Sequence, residues 1–270
     1  MPPIVVAHRG ASAHRAEHTL AAYALALSQG AGGVECDVRL TRDGHLVCVH
    51  DRTVDRTSTG RGVVSELTLD DLSGLDYGHW HDEEPASADE LVQQPIAAPS
   101  ATPYERGLLT LDDLLGMVTD TAPDTMLFVE TKHPVRYGGL VEAKLIALLA
   151  RHGLAKPAHP LDSRIVTMSF SSRAMRRINQ HAPTLPTVQL FGELTPALRD
   201  GSLPPWITMA GPGLRLLRAD PGYVARAAAH GKPTYTWTVD DPADVRRCAE
   251  LGVRYLATNS PVTTLAALGR

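Results

Sequence analysis

Gly33-Val34-Glu35-Cys36-Asp37-Val38-Arg39-Leu40, followed ten residues later by His50-Asp51, decides how this chain is read. In a strand, side chains alternate between two faces. Glu35, Asp37 and Arg39 therefore share one face, and Val34, Cys36, Val38 and Leu40 the other. The apolar face can pack under a helix. The acidic face is expensive to bury unless positive charge sits against it. Two carboxylates side by side on a strand suit a hard divalent cation, which prefers oxygen ligands. The alternative is an ordinary acidic pair at an exposed strand end, or one neutralised by Arg39. The rest of the chain decides between them.

The chain has 270 residues and a formal net charge of −4. One (β/α)8 barrel takes about 250 residues. With no long basic block, nothing suggests a nucleic-acid partner. No apolar run approaches the roughly 20 residues of a membrane span, so stable membrane association is not expected. The start, Met1-Pro2-Pro3-Ile4-Val5-Val6-Ala7-His8, lacks a basic region and a signal-type apolar stretch, which points to a cytoplasmic protein. Cys36, Cys48 and Cys248 are an odd set and read as reduced core thiols.

Ile4 to Ala7 reads as a buried strand that breaks into His8-Arg9-Gly10. Residues 18–29 read as a helix with Leu20, Tyr23, Ala24 and Leu27 on one face and Gly30 as its stop. Arg42-Asp43-Gly44 marks a hairpin between the Glu35/Asp37 strand and a strand from Leu46 to Val49. Thr68-x-x-Asp71 and Thr110-x-x-Asp113 are capping patterns. Residues 76–107 lack either period and read as an irregular insertion over the mouth of the fold, with His79, Trp80 and His81 as loop residues.

Met126 to Lys132 reads as a strand whose apolar face, Met126 and Phe128, gives way to Glu130 and then Lys132. A helix over 138–152 stops at Gly153, and a strand from Ile165 to Phe170 precedes a helix capped by Ser171. Val188 to Phe191 is a strand, and 206–217 holds another, interrupted at Gly211-Pro212-Gly213. Asp220-Pro221 reads as a helix start closed at Gly231. Thr234 to Val239 follows as a strand with Tyr235, Trp237 and Val239 on one face. Asp241-Pro242 opens another helix, closed at Gly252, and the strand Tyr255 to Thr258 has Asn259 at its mouth. About eight strand–helix repeats at this length predict a single-domain (β/α)8 TIM barrel with a small insertion. A doubly wound sheet is the alternative, but His8-Arg9-Gly10 is not its Gly-rich phosphate loop.

A barrel turns all strand exits onto one mouth, which brings His8, Arg9, Glu35, Asp37, His50, Glu130, Lys132, Trp237 and Asn259 together. Glu35, Asp37 and Glu130 can hold one divalent cation, Mg²⁺ or Ca²⁺. Arg9 and Lys132 suit a phosphate, although Glu130 and Lys132 also make sense as a structural ion pair. His8 and His50 can serve as base and acid near neutral pH. Trp237 is either barrel packing or an apolar wall for the substrate. Together they describe a phosphodiester-cleaving site.

The ordered set of motifs resembles the glycerophosphodiester phosphodiesterase family. The matching pieces are His8-Arg9-Gly10, Glu17 with Thr19, Glu35-Cys36-Asp37-Val38, Thr41-Arg42-Asp43-Gly44 and His50-Asp51. Further on come Thr57-Ser58-Thr59-Gly60, Leu75-Asp76-Tyr77-Gly78, Val129-Glu130-Thr131-Lys132, Trp237-Thr238-Val239 and Thr258-Asn259-Ser260-Pro261. The resemblance spans all but about residues 79–106. It implies a (β/α)8 barrel acting on a small-molecule glycerophosphodiester, with His8 and His50 catalytic, Glu35, Asp37 and Glu130 on the metal, and Arg9 and Lys132 on phosphate. The products it implies are sn-glycerol 3-phosphate and an alcohol. The chain departs from the family pattern at Ala16 (usually proline), His18 (usually asparagine) and Asn259 (often aspartate). A lysophospholipase D or sphingomyelinase D-like enzyme, and a non-catalytic phosphodiester-binding barrel, are the competing readings. The polar insertion weighs against the first. The retention of both histidines and all three carboxylates weighs against the second.

Overall fold

Short apolar runs that end in polar residues become the strands of one sheet. The computed structural model describes residues 2–82, 102 and 106–270. Its strands are β1 (Ile4–His8), β2 (Gly33–Leu40), β3 (Leu46–Cys48), β4 (Met126–Thr131), β5 (Ile165–Ser169), β6 (Thr187–Phe191), β7 (Met209–Pro212), β8 (Tyr235–Thr236) and β9 (Tyr255–Thr258). Their order is β7-β6-β5-β4-β2-β1-β9-β8, with β3 beside β2. Of these nine, β3 runs antiparallel and the other eight are parallel. Bridges between Ala210 and Thr234 and between Gly213 and Trp237 join β7 to β8. The sheet therefore curls into a nearly closed barrel, as expected, and the doubly wound alternative falls.

Strand alternation divides the core into two layers. Val6, Phe128, Val166, Met168, Val188 and Tyr235 fill the barrel interior. Val34, Cys36, Val38, Leu127 and Val129 face outward into the layer that holds Leu145 and the other buried helix residues. Phe128 is fully buried, stacked on Tyr235 at 5.3 Å and edge-on to Tyr255 at 5.2 Å. It is thus the floor two residues below Glu130. Cys36, Cys48 and Cys248 are buried free thiols. No helix among the described residues is long and apolar enough to cross a membrane.

The hairpin forms as read, pairing Val38 with Cys48 and Leu40 with Leu46. Thr68 and Asp71 complete a reciprocal capping box. Gly10 is required twice over: its φ is +83°, and a Cβ there would lie 2.7 Å from Ala22. Gly211 is not a break but a strand residue, because a Cβ would meet Leu190 at 2.7 Å.

Several expectations are corrected. The first helix is Leu20–Ser28, capped by Thr19; of the expected face, Tyr23 is buried and Leu20 and Leu27 pack against the core, but Ala24 is exposed, and Ala22 and Ala26 are buried instead. Nearly every residue there is apolar, so periodicity has little contrast to read. Asp220-Pro221 does not open a helix. It joins Leu214–Ala219 to Tyr223–Ala229, and the Asp220 carboxylate pairs with Arg226 instead. β8 is shorter than the apolar run suggests, and Val239 leaves the Tyr235 face for an outer cluster with Val245 and Val253. Strand alternation ends where the ladder does. His79–Asp82 is a short helix rather than loop, and most of the 76–107 insertion lies outside the described residues.

A charged network ties the β1 exit to the β3 exit. Glu17 accepts from Arg9 Nη1 at 3.0 Å and from both terminal nitrogens of Arg56 at 2.9 and 2.8 Å. Arg56 Nε in turn donates to Asp51 at 2.7 Å. Burial pushes the Glu17 carboxyl up, but the Arg56 hydrogen bonds and the Arg9 charge outweigh it and bring it down to about 2.

Phe128→Ala removes the floor ring and should cost about 3–5 kcal/mol in urea unfolding. Glu17 supplies stability that is fully present above the ordinary carboxylate pKa and is lost as pH falls from about 4.5 toward 2. Between pH 5 and pH 3 the wild type should therefore lose more unfolding free energy than Glu17→Gln, by about 1–3 kcal/mol. Parallel pH profiles for the two proteins would contradict this.

Candidate active site

β2 and β4 are paired in register, with Asp37 opposite Glu130, while β1 sets His8 opposite Glu35. This register carries the acidic face of β2 to the open end of the interior, above Phe128. Glu35, Asp37 and Glu130 are all buried, and each offers an oxygen within 4.8 Å of the others. Burial, then the Asp37 charge, pushes Glu35 well above the usual carboxylate range. The same two causes, partly offset by Lys132, raise Glu130 to about 7. Asp37 goes the other way. Burial pushes it up, but the His18 hydrogen bond and the charges of Lys132 and Arg9 hold it well below the usual range. Crowded, buried, oxygen-only donors are the chemistry that a hard divalent cation neutralises, so this set could hold one.

The positive charge against these acids does not come from Arg39. Its guanidinium donates from Nε and Nη2 to the His50 carbonyl at 3.0 and 2.7 Å, and so holds that loop. Asp37 is met instead by Arg9 Nε at 3.0 Å and Lys132 Nζ at 3.2 Å. The Arg9 contact is Coulombic, since Nε makes no aligned hydrogen bond. Lys132 also lies 2.9 Å from Glu130, so the ion pair weighed from sequence is formed. Arg9 adopts φ +61° at the strand exit, and its backbone N–H donates to Glu35 at 3.0 Å. The third partner of Asp37 is His18, Nε2 at 3.0 Å, with its Nδ1 2.8 Å from the Tyr23 hydroxyl. The departure from asparagine therefore keeps a polar contact at the acidic cluster. It does not simply begin the helix.

The two candidate catalytic histidines have different partners. His8 Nδ1 lies 2.8 Å from the Asn259 amide oxygen. Burial and then Arg9 lower its pKa to about 4. His50 Nδ1 lies 2.7 Å from Asp51, and burial lowers His50 as well. Asp51 is itself brought down to about 2 by the Arg56 hydrogen bond. Trp237 ties its indole N–H to the Gly211 carbonyl at 3.1 Å and stands edge-on to exposed Phe170 at 5.2 Å. It can therefore offer ring surface but no hydrogen bond. His8, Arg9, Ser12, Glu17 and Asn259 line a depression of about 330 Å³. A larger cleft of about 950 Å³ runs outward from Trp237 past Leu194 and Arg215.

The sequence assigns no role to Arg56 or Glu17, leaves His18 between a polar contact in place of asparagine and the start of the helix, and reads Asp51 only as the neighbour of His50. Arg56 sits in a polar loop with no periodic signal, and only folding brings it to Glu17. The position of His18, directly after Glu17 and two residues before the first helix, carries no pattern that pairs it with Asp37.

The comparisons with known proteins give the family and the fold. The family model described as the glycerophosphoryl diester phosphodiesterase family matches residues 8–263. A probable glycerophosphodiester phosphodiesterase 1 of Mycobacterium tuberculosis is 52% identical over 266 residues, covering 98% of this chain and 92% of the relative. A glycerophosphodiester phosphodiesterase of Bacillus subtilis is 34% identical, covering 96% of this chain and 84% of its own. Among solved structures, a glycerophosphodiester phosphodiesterase from Agrobacterium tumefaciens superposes with TM-score 0.72 at 26% identity, covering 98% of this chain and all of its own. An Oleispira antarctica phosphodiesterase, solved with the product sn-glycerol-3-phosphate, shares the fold with TM-score 0.79 at 22% identity, covering 100% and 98% of the two chains. The chain belongs to the glycerophosphoryl diester phosphodiesterase family and is a phosphoric diester hydrolase of that kind.

Proposed function

We propose that this enzyme hydrolyses glycerophosphodiesters to sn-glycerol 3-phosphate and an alcohol in a divalent-cation-dependent reaction, with His8 as general base and His50 as general acid. The observation that carries the division of labour is the different group behind each imidazole. Asp51 stands behind His50, and although burial lowers that ring overall, the carboxylate favours its protonated form where His8 has only an amide, which suits a proton donor. A neutral amide stands behind His8, and burial keeps that ring unprotonated down to about pH 4, which suits a proton acceptor. His8 takes the proton of the nucleophile, which is either water, giving glycerol 3-phosphate directly, or the glycerol 2-hydroxyl, giving a cyclic phosphate that water then opens to glycerol 3-phosphate. His50 returns a proton to the departing alcohol.

Glu35, Asp37 and Glu130 would hold the cation, Mg²⁺ or Ca²⁺, which when bound withdraws charge from the phosphoryl oxygens. Arg9 and Lys132 add fixed positive charge at the same place, where exclusion of water strengthens it. Trp237 supplies an apolar wall, and the cleft running from it gives the alcohol room to leave.

Release of glycerol 3-phosphate from glycerophosphocholine and glycerophosphoethanolamine tests the reading, with Mg²⁺, with Ca²⁺ and with chelator. Cation-dependent release is expected. No release from either by folded, metal-loaded enzyme, with cleavage of a long-chain lysophospholipid instead, would replace the substrate class. His8→Ala and His50→Ala should each lower kcat by about 10²–10⁴-fold while cation binding, followed by calorimetry, stays intact. Near-normal turnover in either variant defeats its assignment. Glu35→Ala should lose cation affinity and activity together.

A further inference from the structure

Beside His8 lies a set of polar groups to which the reaction as proposed gives no role, although exposed Asp240 lines both the depression at His8 and the cleft beside Trp237. The Asn259 side-chain N–H donates to Asp240 Oδ2 at 2.8 Å. The other oxygen of Asp240 accepts from the Asn259 backbone N–H at 2.7 Å and from the Thr258 hydroxyl at 2.9 Å. Thr258 is fully buried and accepts in turn from Thr264 at 2.9 Å. The carboxylate is thus held on both oxygens and cannot swing away.

A carboxylate only accepts, so the Asn259 amide has one permitted orientation: nitrogen toward Asp240, oxygen toward His8. The reverse would press two acceptor oxygens together at hydrogen-bond distance. The Ser12 hydroxyl lies 2.9 Å from the amide oxygen and 2.8 Å from the His8 carbonyl; it has one proton to share between them, so the orientation rests on Asp240. An acceptor at His8 Nδ1 requires the proton to be on Nδ1, which leaves Nε2 with a free lone pair.

We infer that Asp240 is a positioning residue that, through the Asn259 amide, locks His8 in the Nδ1–H tautomer and so keeps Nε2 ready to accept a proton. A neutral residue at position 240 lets the amide turn over, offers His8 a donor in place of an acceptor, and moves the proton to Nε2, where the ring cannot act as a base. This rests on the general-base role proposed for His8, but the tautomer itself is a property of the resting protein.

The test is imidazole ¹⁵N–¹H correlation spectroscopy of the full chain without substrate, with His8 assigned by its absence in His8→Gln. The wild type should show His8 protonated at Nδ1. Asp240→Asn should show mixed or Nε2-protonated His8, and its kcat should fall about 10- to 100-fold with KM within about twofold. The exchanged pair Asp240→Asn/Asn259→Asp restores an obligatory acceptor behind His8 and should recover the Nδ1–H tautomer and most of the lost kcat. A merely structural role for Asp240 predicts loss of thermal stability with the tautomer unchanged. A wild-type His8 protonated at Nε2 overturns the inference whether or not the variants fold, as does Asp240→Asn with unchanged spectrum and kcat. A correct tautomer in an enzyme inactive toward glycerophosphodiesters would leave the lock standing and discard the substrate reading alone.

Discussion

Asp37 is a fully enclosed carboxylate with two more acids beside it, and the site is organised to tolerate it. Burial of a charge is costly unless it is paired and hydrogen-bonded. Arg9 from the β1 exit, Lys132 from the β4 exit and His18 from the first turn all converge on it. Each of these groups is held in turn: Arg9 by Glu17, Lys132 by Glu130, His18 by Tyr23. Fixing Asp37 therefore fixes the approach of three separate chain segments to one point above the barrel floor.

The barrel makes this convergence possible at modest cost. Parallel strands place their C-terminal ends on one rim, and β1 and β4 each put an apolar residue in the interior one step below a polar one. Val6 lies below His8 and Phe128 below Glu130. Burial of the lower layer stabilises the fold, and the upper layer is left to electrostatics. Glu35 and Glu130, both pushed upward by burial and by Asp37, remain undercompensated by the cations around them. A divalent cation would supply that compensation.

The two histidines show how neighbouring groups give identical side chains different surroundings. His8 and His50 begin from one intrinsic pKa, and burial lowers both. An amide stands behind one and a carboxylate behind the other. The carboxylate behind His50 is itself anchored by Arg56, which continues through Glu17 to Arg9 at the opposite histidine's own exit. The first and third strand exits are thus one charged unit, and a change at Glu17 reaches both sides of the cleft.

Much of this was legible in the residues. The alternation in Glu35-Cys36-Asp37 set which side chains face inward, because strand parity is local geometry. The strand exits at His8 and Glu130 stood out because apolar runs end there in charge. The capping threonines and the Asp43-Gly44 hairpin were readable for the same reason: they satisfy backbone groups within a few residues. The tertiary structure decided what depends on contacts between distant segments. That Lys132 turns onto Asp37 and that His18 joins the acidic cluster depend on how β1, β2 and β4 come together, and that Arg39 braces the His50 carbonyl depends on the antiparallel register of β2 and β3. Residues 11, 19 and 95 positions apart have to meet before these charges can choose their partners, and no periodicity along the chain encodes that choice.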